Sequence, residues 1–315
     1  MPLPERKLIE RIRAHAGVAH APSRVLVRGI GDDCAVLRPP RGHELLITTD
    51  FSLEDVHFRR DWHPAECVGH RCLARGLSDI AAMGGEPLAA FLSLALPAGL
   101  EQRWVNGFLR GLLKLAKSFN VPLAGGDIAQ SPAGVLADII VVGSVPRGKA
   151  LLRSGAKPGD ALYVTGALGG SAAAIQQMRA GKKLRPAQDR AHFFPEPRIA
   201  VGRLLRERRM ASAAIDLSDG LSTDLSHICE ESGVGAVVYA ESVPVAKGAT
   251  LELALHGGED YELLFTAAPR TRVLEEIAGV QVNRIGEIIR GDRAFVCDRN
   301  GRRKPLPPRG WEHFR

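Results

Sequence analysis

A two-domain protein of the α/β class, with mixed α+β sheets, is what this sequence predicts, on three observations. Its 315 residues are enough for two cored domains of ordinary size. Short apolar and β-branched runs are interleaved with longer helical ones in both halves, so neither half reads as all-α or all-β. Between them lies a Gly/Pro turn cluster, "RSGAKPGD" at 153–160, of the kind that links units. The boundary is placed at Gly148, which gives an N-terminal domain over 1–148 and a C-terminal domain over 149–315.

Strands are predicted at 25–27, 35–37 and 45–49, where apolar runs lie between turn residues. A helix follows Pro64, which suits a first helical turn because it has no N–H to leave unpaired. It runs to about Met83, where Gly84 and Gly85 stop it. A strand at 89–96, a helix at 101–119 and a strand at 134–145 complete the first half. The second half opens with a strand at 161–164 and helices near 170–178 and 197–208. A strand at 213–217, a helix at 221–231 ended by Gly233, and strands at 236–239 and 262–266 follow.

Composition is that of a globular protein, 45% hydrophobic and 24% charged. The longest apolar run, Pro87 to Leu100, is too short to span a bilayer and is broken by Ser93 and Pro97. The opening "MPLPERKLIERIRAHAG" carries charges where a signal peptide needs an apolar core. These features predict a cytoplasmic protein with no membrane partner. The five cysteines are odd in number and form no C-x-x-C pair, which fits reduced thiols and argues against a zinc site. Net charge is +7, but Lys and Arg are scattered and aromatics are only 5%. That pattern disfavours nucleic acid and fits a solvated basic surface that attracts small phosphorylated ligands.

The chemistry sits in the carboxylates. "GIGDDCAVL" at 29–37 sets Asp32 beside Asp33, a repulsion that a bound cation would offset. Singly, each Asp reads as a turn or cap residue. Together, Asp33, Asp50 in "LLITTDF", Asp127 in "LAGGDI", and Asp216 and Asp219 in "AIDLSDG" lie beside apolar strand ends and glycines, where α/β proteins build ligand sites. Asp79 falls on the apolar stripe of its helix with Val68, Cys72 and Met83, so it needs a partner. Arg75, one turn back, and a cation are equal candidates for that partner. This oxygen-rich, thiolate-free set suits Mg²⁺. Asp219 or Ser218 is also a candidate cap for the helix at 221.

No P-loop and no H-R-D or D-F-G set occurs. "GALGGSAAA" at 166–174 reads as an anion cradle or, by preference, as close helix packing. Arg153 is a candidate phosphate contact. His43, His63 and His192 read as surface residues. No Ser/His/Asp or Cys/His nucleophile emerges, so no catalytic side chain is assigned.

These motifs, with "LSDIAAMGGEP", "GGD" at 125–127, "LLRSGAKPGDALYVTG", "GGEDYELLFT" and "GWEHF", cover the chain almost end to end. In that order they resemble the thiamine-monophosphate kinase family, of the superfamily that includes aminoimidazole ribonucleotide synthetase. The resemblance implies an N-terminal domain whose sheet forms a β-barrel across a homodimer interface. It also implies a C-terminal layered α/β domain and an active site in the cleft between the two. ATP would phosphorylate thiamine monophosphate to thiamine diphosphate with several Mg²⁺ ions. By the same resemblance, Asp33, Thr48, Thr49, Asp50, Asp79, Asp127, Asp216 and Asp219 would bind metal. Gly126, Asp127, Arg153 and Ser218 would meet ATP, and His57, Glu259 and Trp311 would meet thiamine monophosphate. The chain departs from the family pattern at Gly76, where Asn is usual, at Asp55, where Gly is usual, and at Ile128-Ala129-Gln130. The alternatives are another ATP-using member of the superfamily or an inactive nucleotide- and Mg²⁺-binding regulator.

Overall fold

The computed structural model describes residues 1–19, 25–30 and 33–314, so Asp32 lies outside the described residues. The chain forms two compact units. One comprises Met1–Ile80 with Glu86–Gly148, the other Ala81–Gly85 with Lys149–Arg315.

The N-terminal unit runs α1 (Glu5–Ala19), β1 (Leu26–Arg28), β2 (Val36–Leu37), β3 (His43–Leu53), α2 (Ala65–Ala82), β4 (Glu86–Pro97), α3 (Gln102–Ser118), β5 (Leu123–Ser131) and β6 (Leu136–Pro146). Its four-stranded sheet has the order β3-β6-β4-β5. Only the β4–β5 pair in it is parallel. The sheet is open, and no closed barrel forms among the described residues. β1 and β2 pair separately.

α3 buries Val105, Phe108, Leu109, Leu112 and Ala116 at steps of three and four, the spacing that keeps one face apolar. Full burial of such a Leu or Phe stabilises by roughly 1.5–3 kcal/mol. α2 and α3 approach so closely that a Cβ on Gly69 would stand 1.9 Å from the Phe108 carbonyl oxygen, and one on Gly111 1.9 Å from that of Glu66. Backbone contact at that range admits only glycine.

The C-terminal unit runs β7 (Ala161–Thr165), α4 (Gly170–Arg179), α5 (Arg190–Phe193), α6 (Ile199–Glu207), β8 (Ala213–Asp216), α7 (Leu221–Ser232), β9 (Gly235–Tyr239), α8 (Leu251–His256), β10 (Leu263–Ala267), β11 (Glu276–Ile277), β12 (Val280–Ile289), β13 (Ala294–Cys297) and β14 (Arg303–Pro305). The sheet order is β14-β13-β9-β12-β7-β10-β8, with β11 paired to β12. Leu162, Val164, Ile215, Leu225, Ile228, Val238 and Leu264 form its core.

The mixed α/β, two-unit expectation holds, and the elements predicted from 64 to 266 recur within a few residues. The differences have physical causes. α1 buries Leu8, Ile12 and Ala16, a one-turn stripe hidden among charges. β12 escapes a period-two reading because its register shifts between Arg284 and Gly286. Its buried apolar residues Val282, Ile285 and Ile288 are spaced by three, so no alternation marks the strand.

β3 continues to Leu53, so Asp50 lies inside a strand and not beyond its end. Asp127 likewise lies inside β5. His63 and His192 are buried, contrary to a surface reading, because each ring has a polar partner. His63 Nδ1 accepts the Arg59 N–H at 3.1 Å, and His192 Nδ1 lies 2.8 Å from Ser171 Oγ. No helix among the described residues is long and apolar enough to cross a membrane. All five cysteines are unpaired.

Candidate active site

In the N-terminal unit the acidic groups stand on strands and on one helix. Successive strand residues point to opposite faces. Thr48 therefore faces α2, where its hydroxyl donates to the Asp79 carboxylate, and Asp50 shares that face. α2 can sit this close because Gly76 has no side chain. A Cβ there would meet a Val141 methyl at 2.6 Å. Arg75 reaches the Phe51 carbonyl at 3.1 Å.

Thr49 points the other way, and its hydroxyl donates to Asp138 at 2.7 Å. The adjacent threonines thus serve opposite sides of the sheet and do not join one cluster. Strand register aligns Phe51 with Asp138, Asp138 with Ser93 and Ser93 with Asp127 in one row across the sheet. Asp138 was not anticipated. Its signal was a lone carboxylate in the apolar run "LADIIVV".

Gly126 adopts φ +145°, and a Cβ on it would lie 1.8 Å from the Leu92 carbonyl oxygen, so glycine is required for the β4–β5 approach. A cavity of about 580 Å³ lies beside it, lined by Ile12, Asp33, Cys34, Leu94, Gly126 and Asp127 among others. His57 closes the turn after β3, its Nδ1 accepting the Leu53 N–H at 3.0 Å.

In the C-terminal unit the groups gather around one strand-to-helix turn. Asp216 ends β8 and is buried. Gly220, at φ +114°, leads into α7. Neither Ser218 nor Asp219 supplies the side-chain cap. Instead the Asp224 carboxylate reaches back to accept the N–H groups of Asp219 at 3.1 Å and Gly220 at 3.0 Å, from one position beyond that of a capping-box acid. Burial first, then the charges of Asp216 and Asp219, push the Asp224 carboxyl well above the usual carboxylate range. Asp219, Asp224 and His227 can each aim a ligand atom within 4.8 Å of the others.

Two other segments close on this turn. The Glu259 N–H donates to the Ser218 carbonyl at 2.7 Å, and the Tyr261 N–H to that of Leu217 at 2.9 Å. Glu259 and Tyr261 both hold positive φ, +65° and +52°, a conformation that non-glycine residues keep only when the surroundings enforce it. The Trp311 N–H donates to the Asp219 carbonyl at 3.0 Å. Ser218, Asp219, Glu259 and Trp311 are thereby brought together. Arg153 is not, since its carbonyl accepts the hydroxyl of Ser232, at the opposite end of α7.

The 166–174 glycines pack closely and leave the start of α4 to an internal carboxylate. Asp260 accepts the Gly169 N–H at 2.7 Å and the Ser171 N–H at 3.4 Å. Burial raises its carboxyl to about 7 against the lowering effect of these bonds. Asp224 is legible as an acid four residues beyond Gly220, whereas Asp260 is not, because its partners lie far away in sequence.

The N-terminal domain of AIR synthase related protein matches residues 31–145, and the C-terminal domain matches residues 157–298. The thiamine-monophosphate kinase of Salmonella typhimurium (strain LT2) is 39% identical over 303 residues, 91% of each chain. The chain belongs to the thiamine-monophosphate kinase family. Among solved structures, the family member from Stenotrophomonas maltophilia K279a superposes with a TM-score of 0.82 at 35% identity, over 92% of this chain and 95% of that one. AaThiL complexed with AMPPCP and TMP gives 0.78 at 32% identity, over 99% and 97%.

Proposed function

We infer that this protein transfers a phosphoryl group from ATP to thiamine monophosphate and forms thiamine diphosphate. The observation that carries the reading is the gathering of Ser218, Asp219, Glu259 and Trp311 by three backbone hydrogen bonds. The backbone of an acid-rich turn that suits a metal–phosphate cluster is then bonded to that of a half-exposed tryptophan, whose indole suits a flat cation. The relatives point the same way, since one binds both AMPPCP, an ATP analogue, and TMP.

The donor set fits Mg²⁺. It is made of oxygens, and Asp224, whose carboxyl is raised by burial first and then by the charges of Asp216 and Asp219, stands among acids whose mutual repulsion a divalent cation would offset. Asp216 and Asp219 in one unit, and Asp33, Thr48, Thr49, Asp50, Asp79 and Asp127 in the other, are the residues we assign to it. When bound, Mg²⁺ supplies neutralisation of the phosphates that must approach one another. The attacking group is a phosphate oxygen, already ionised near neutrality, so no side chain has to remove a proton. The chain's task is then orientation. Gly126, Asp127, Arg153 and Ser218 are assigned to ATP. The mostly apolar cavity beside Gly126 and Asp127 suits a nucleobase. His57, Glu259 and Trp311 are assigned to the acceptor.

We assign the chain a homodimer. β3 presents Leu45, Ile47 and Phe51 on its outer face, 48%, 69% and 55% exposed, and an apolar edge strand of this kind calls for a partner. Pairing of two such sheets is the route to the barrel that the family resemblance implies. The domain boundary at Gly148 and a cytoplasmic location belong to the same reading. Incubation with ATP, Mg²⁺ and thiamine monophosphate should yield thiamine diphosphate by mass. ATP turnover on another acceptor, with none on this one, would overturn the assignment.

A further inference from the structure

The Trp311 ring is 48% exposed and packs edge-on against His313, itself an exposed residue. Its place in space therefore comes from the backbone that carries it, and that backbone is stitched to the start of α7. Three successive N–H groups donate to three acceptors. Arg309 donates to Ser222 Oγ at 3.3 Å, Gly310 to Thr223 Oγ1 at 2.9 Å, and Trp311 to the Asp219 carbonyl at 3.0 Å. Gly310 fits this seam because it lacks a side chain. A Cβ would stand 2.0 Å from the Asp219 oxygen and 2.6 Å from Thr223 Oγ1.

The seam rests on a braced support. Ser222 is fully buried, and its Oγ lies 2.8 Å from His256 Nδ1 on α8. The same hydroxyl oxygen accepts the Arg309 N–H, and burial lowers the His256 pKa, which favours a neutral imidazole beside it. Ser222 and His256 form a Ser–His pair, but a serine with no exposed surface, occupied on both sides, is a brace and not a nucleophile.

We propose that Ser222 and Thr223 are positioning residues for acceptor recognition: their hydroxyls seat the 309–311 segment and so fix the Trp311 ring. This role rests on the reading that Trp311 meets thiamine monophosphate. The seam itself does not. It also makes the peptide of Asp219 a shared support for the carboxylate on its own side chain and for the indole of the tail.

Thr223→Val keeps the shape of the side chain and removes the acceptor, whereas Thr223→Ser restores it. Amide hydrogen exchange of the 306–314 peptide is measured alongside steady-state kinetics on the full chain. In Thr223→Val, exchange of the tail and the KM for thiamine monophosphate should each rise about fivefold, the factor for one hydrogen bond of ordinary strength. kcat, the KM for ATP and the melting temperature should stay near wild type. Thr223→Ser should behave as wild type, and Gly310→Ala should reproduce the valine result. Faster exchange with no change in KM, or an equal rise in both KM values, would overturn the positioning role. Unchanged exchange in both Thr223→Val and Gly310→Ala would overturn the seam. Wild-type protein that does not turn over thiamine monophosphate would instead fail the functional reading, and the exchange comparison would still decide the seam.

Discussion

In the N-terminal unit Asp50, Asp127 and Asp138 stand on three strands and Asp79 on a helix, whereas in the C-terminal unit Asp216, Asp219 and Asp224 crowd one turn between β8 and α7. The strands spread their acidic groups over the two faces of the sheet. Alternation sends Thr48 and Thr49 to opposite faces, and each finds its own acid, Asp79 and Asp138. The turn instead gathers its acids, and burial first, then the charges of Asp216 and Asp219, raises the Asp224 carboxyl. A charge on a strand is placed by sheet geometry. Charges in the turn are held close by the chain itself, and a bound divalent cation would offset their repulsion.

The largest effect should come from removing one charge in each region. Asp79→Asn and Asp219→Asn should each lower kcat on the order of 100-fold or more, since each removes a metal-binding oxygen charge. They should differ in stability when melted without divalent cations. Asp219→Asn relieves the repulsion on Asp224 and should melt at or above the wild-type temperature. Asp79→Asn, which still accepts from Thr48, should melt slightly below it. Wild-type turnover in either variant would sink the metal assignment. A drop of many degrees in Asp79→Asn would assign its carboxylate to Arg75.

Next comes the packing that holds the strand-borne set in place. Gly69→Ala puts a methyl 1.9 Å from the Phe108 carbonyl and should cost roughly 1–3 kcal/mol. Differential scanning calorimetry would read this as a lowered transition for the N-terminal unit. An unchanged melting curve would mean that the two helices part without penalty.

A smaller and more selective effect is expected at the tail. Trp311→Ala should raise the KM for thiamine monophosphate by several-fold to about tenfold, because a desolvated cation–π contact is worth on the order of 1 kcal/mol or more. The KM for ATP should hardly change, and Trp311→Phe should fall between. Equal damage to both substrates, together with a lower melting temperature, would reduce the ring to a tail anchor.

A different kind of effect, on the pH dependence of stability, concerns Asp260. Its folded pKa, raised to about 7, exceeds the value near 3.9 of an unfolded chain. The folded state therefore holds a proton that the unfolded state releases. That contribution to stability is fully present below about pH 4 and is lost as pH rises through 7. Wild-type melting temperature should consequently fall between pH 5 and pH 8 by more than that of Asp260→Asn. Parallel curves for the two proteins would show that Asp260 is ionised throughout.

Much of this was open to reading from the chain itself. Periodicity marked α3 and β6 because their apolar positions repeat without interruption. The order of the aspartate motifs marked the family, since acid, glycine and strand must follow one another closely for a turn to form. The bulge in β12 could not be read, because the register shift before Gly286 goes with its close approach to Val237, a neighbour distant in sequence. Likewise, nothing near Asp138 or Asp260 says what they bind, because Thr49 and Gly169 reach them only through the folded sheet and loops.

The sequence by itself determined the class of fold, the oxygen-rich chemistry and the residues that carry it, because those depend on composition and on spacing over a few residues. Only the tertiary structure decided which of those residues share a site. It parted Thr48 from Thr49 by the pleat of β3. It left Arg153 at the far end of α7 and seated Trp311 against Asp219 through Thr223. Such pairings join residues 31 to 89 positions apart, through hydroxyl, carboxylate and backbone groups that only the fold brings within reach, so neither partner is legible from the residues beside the other.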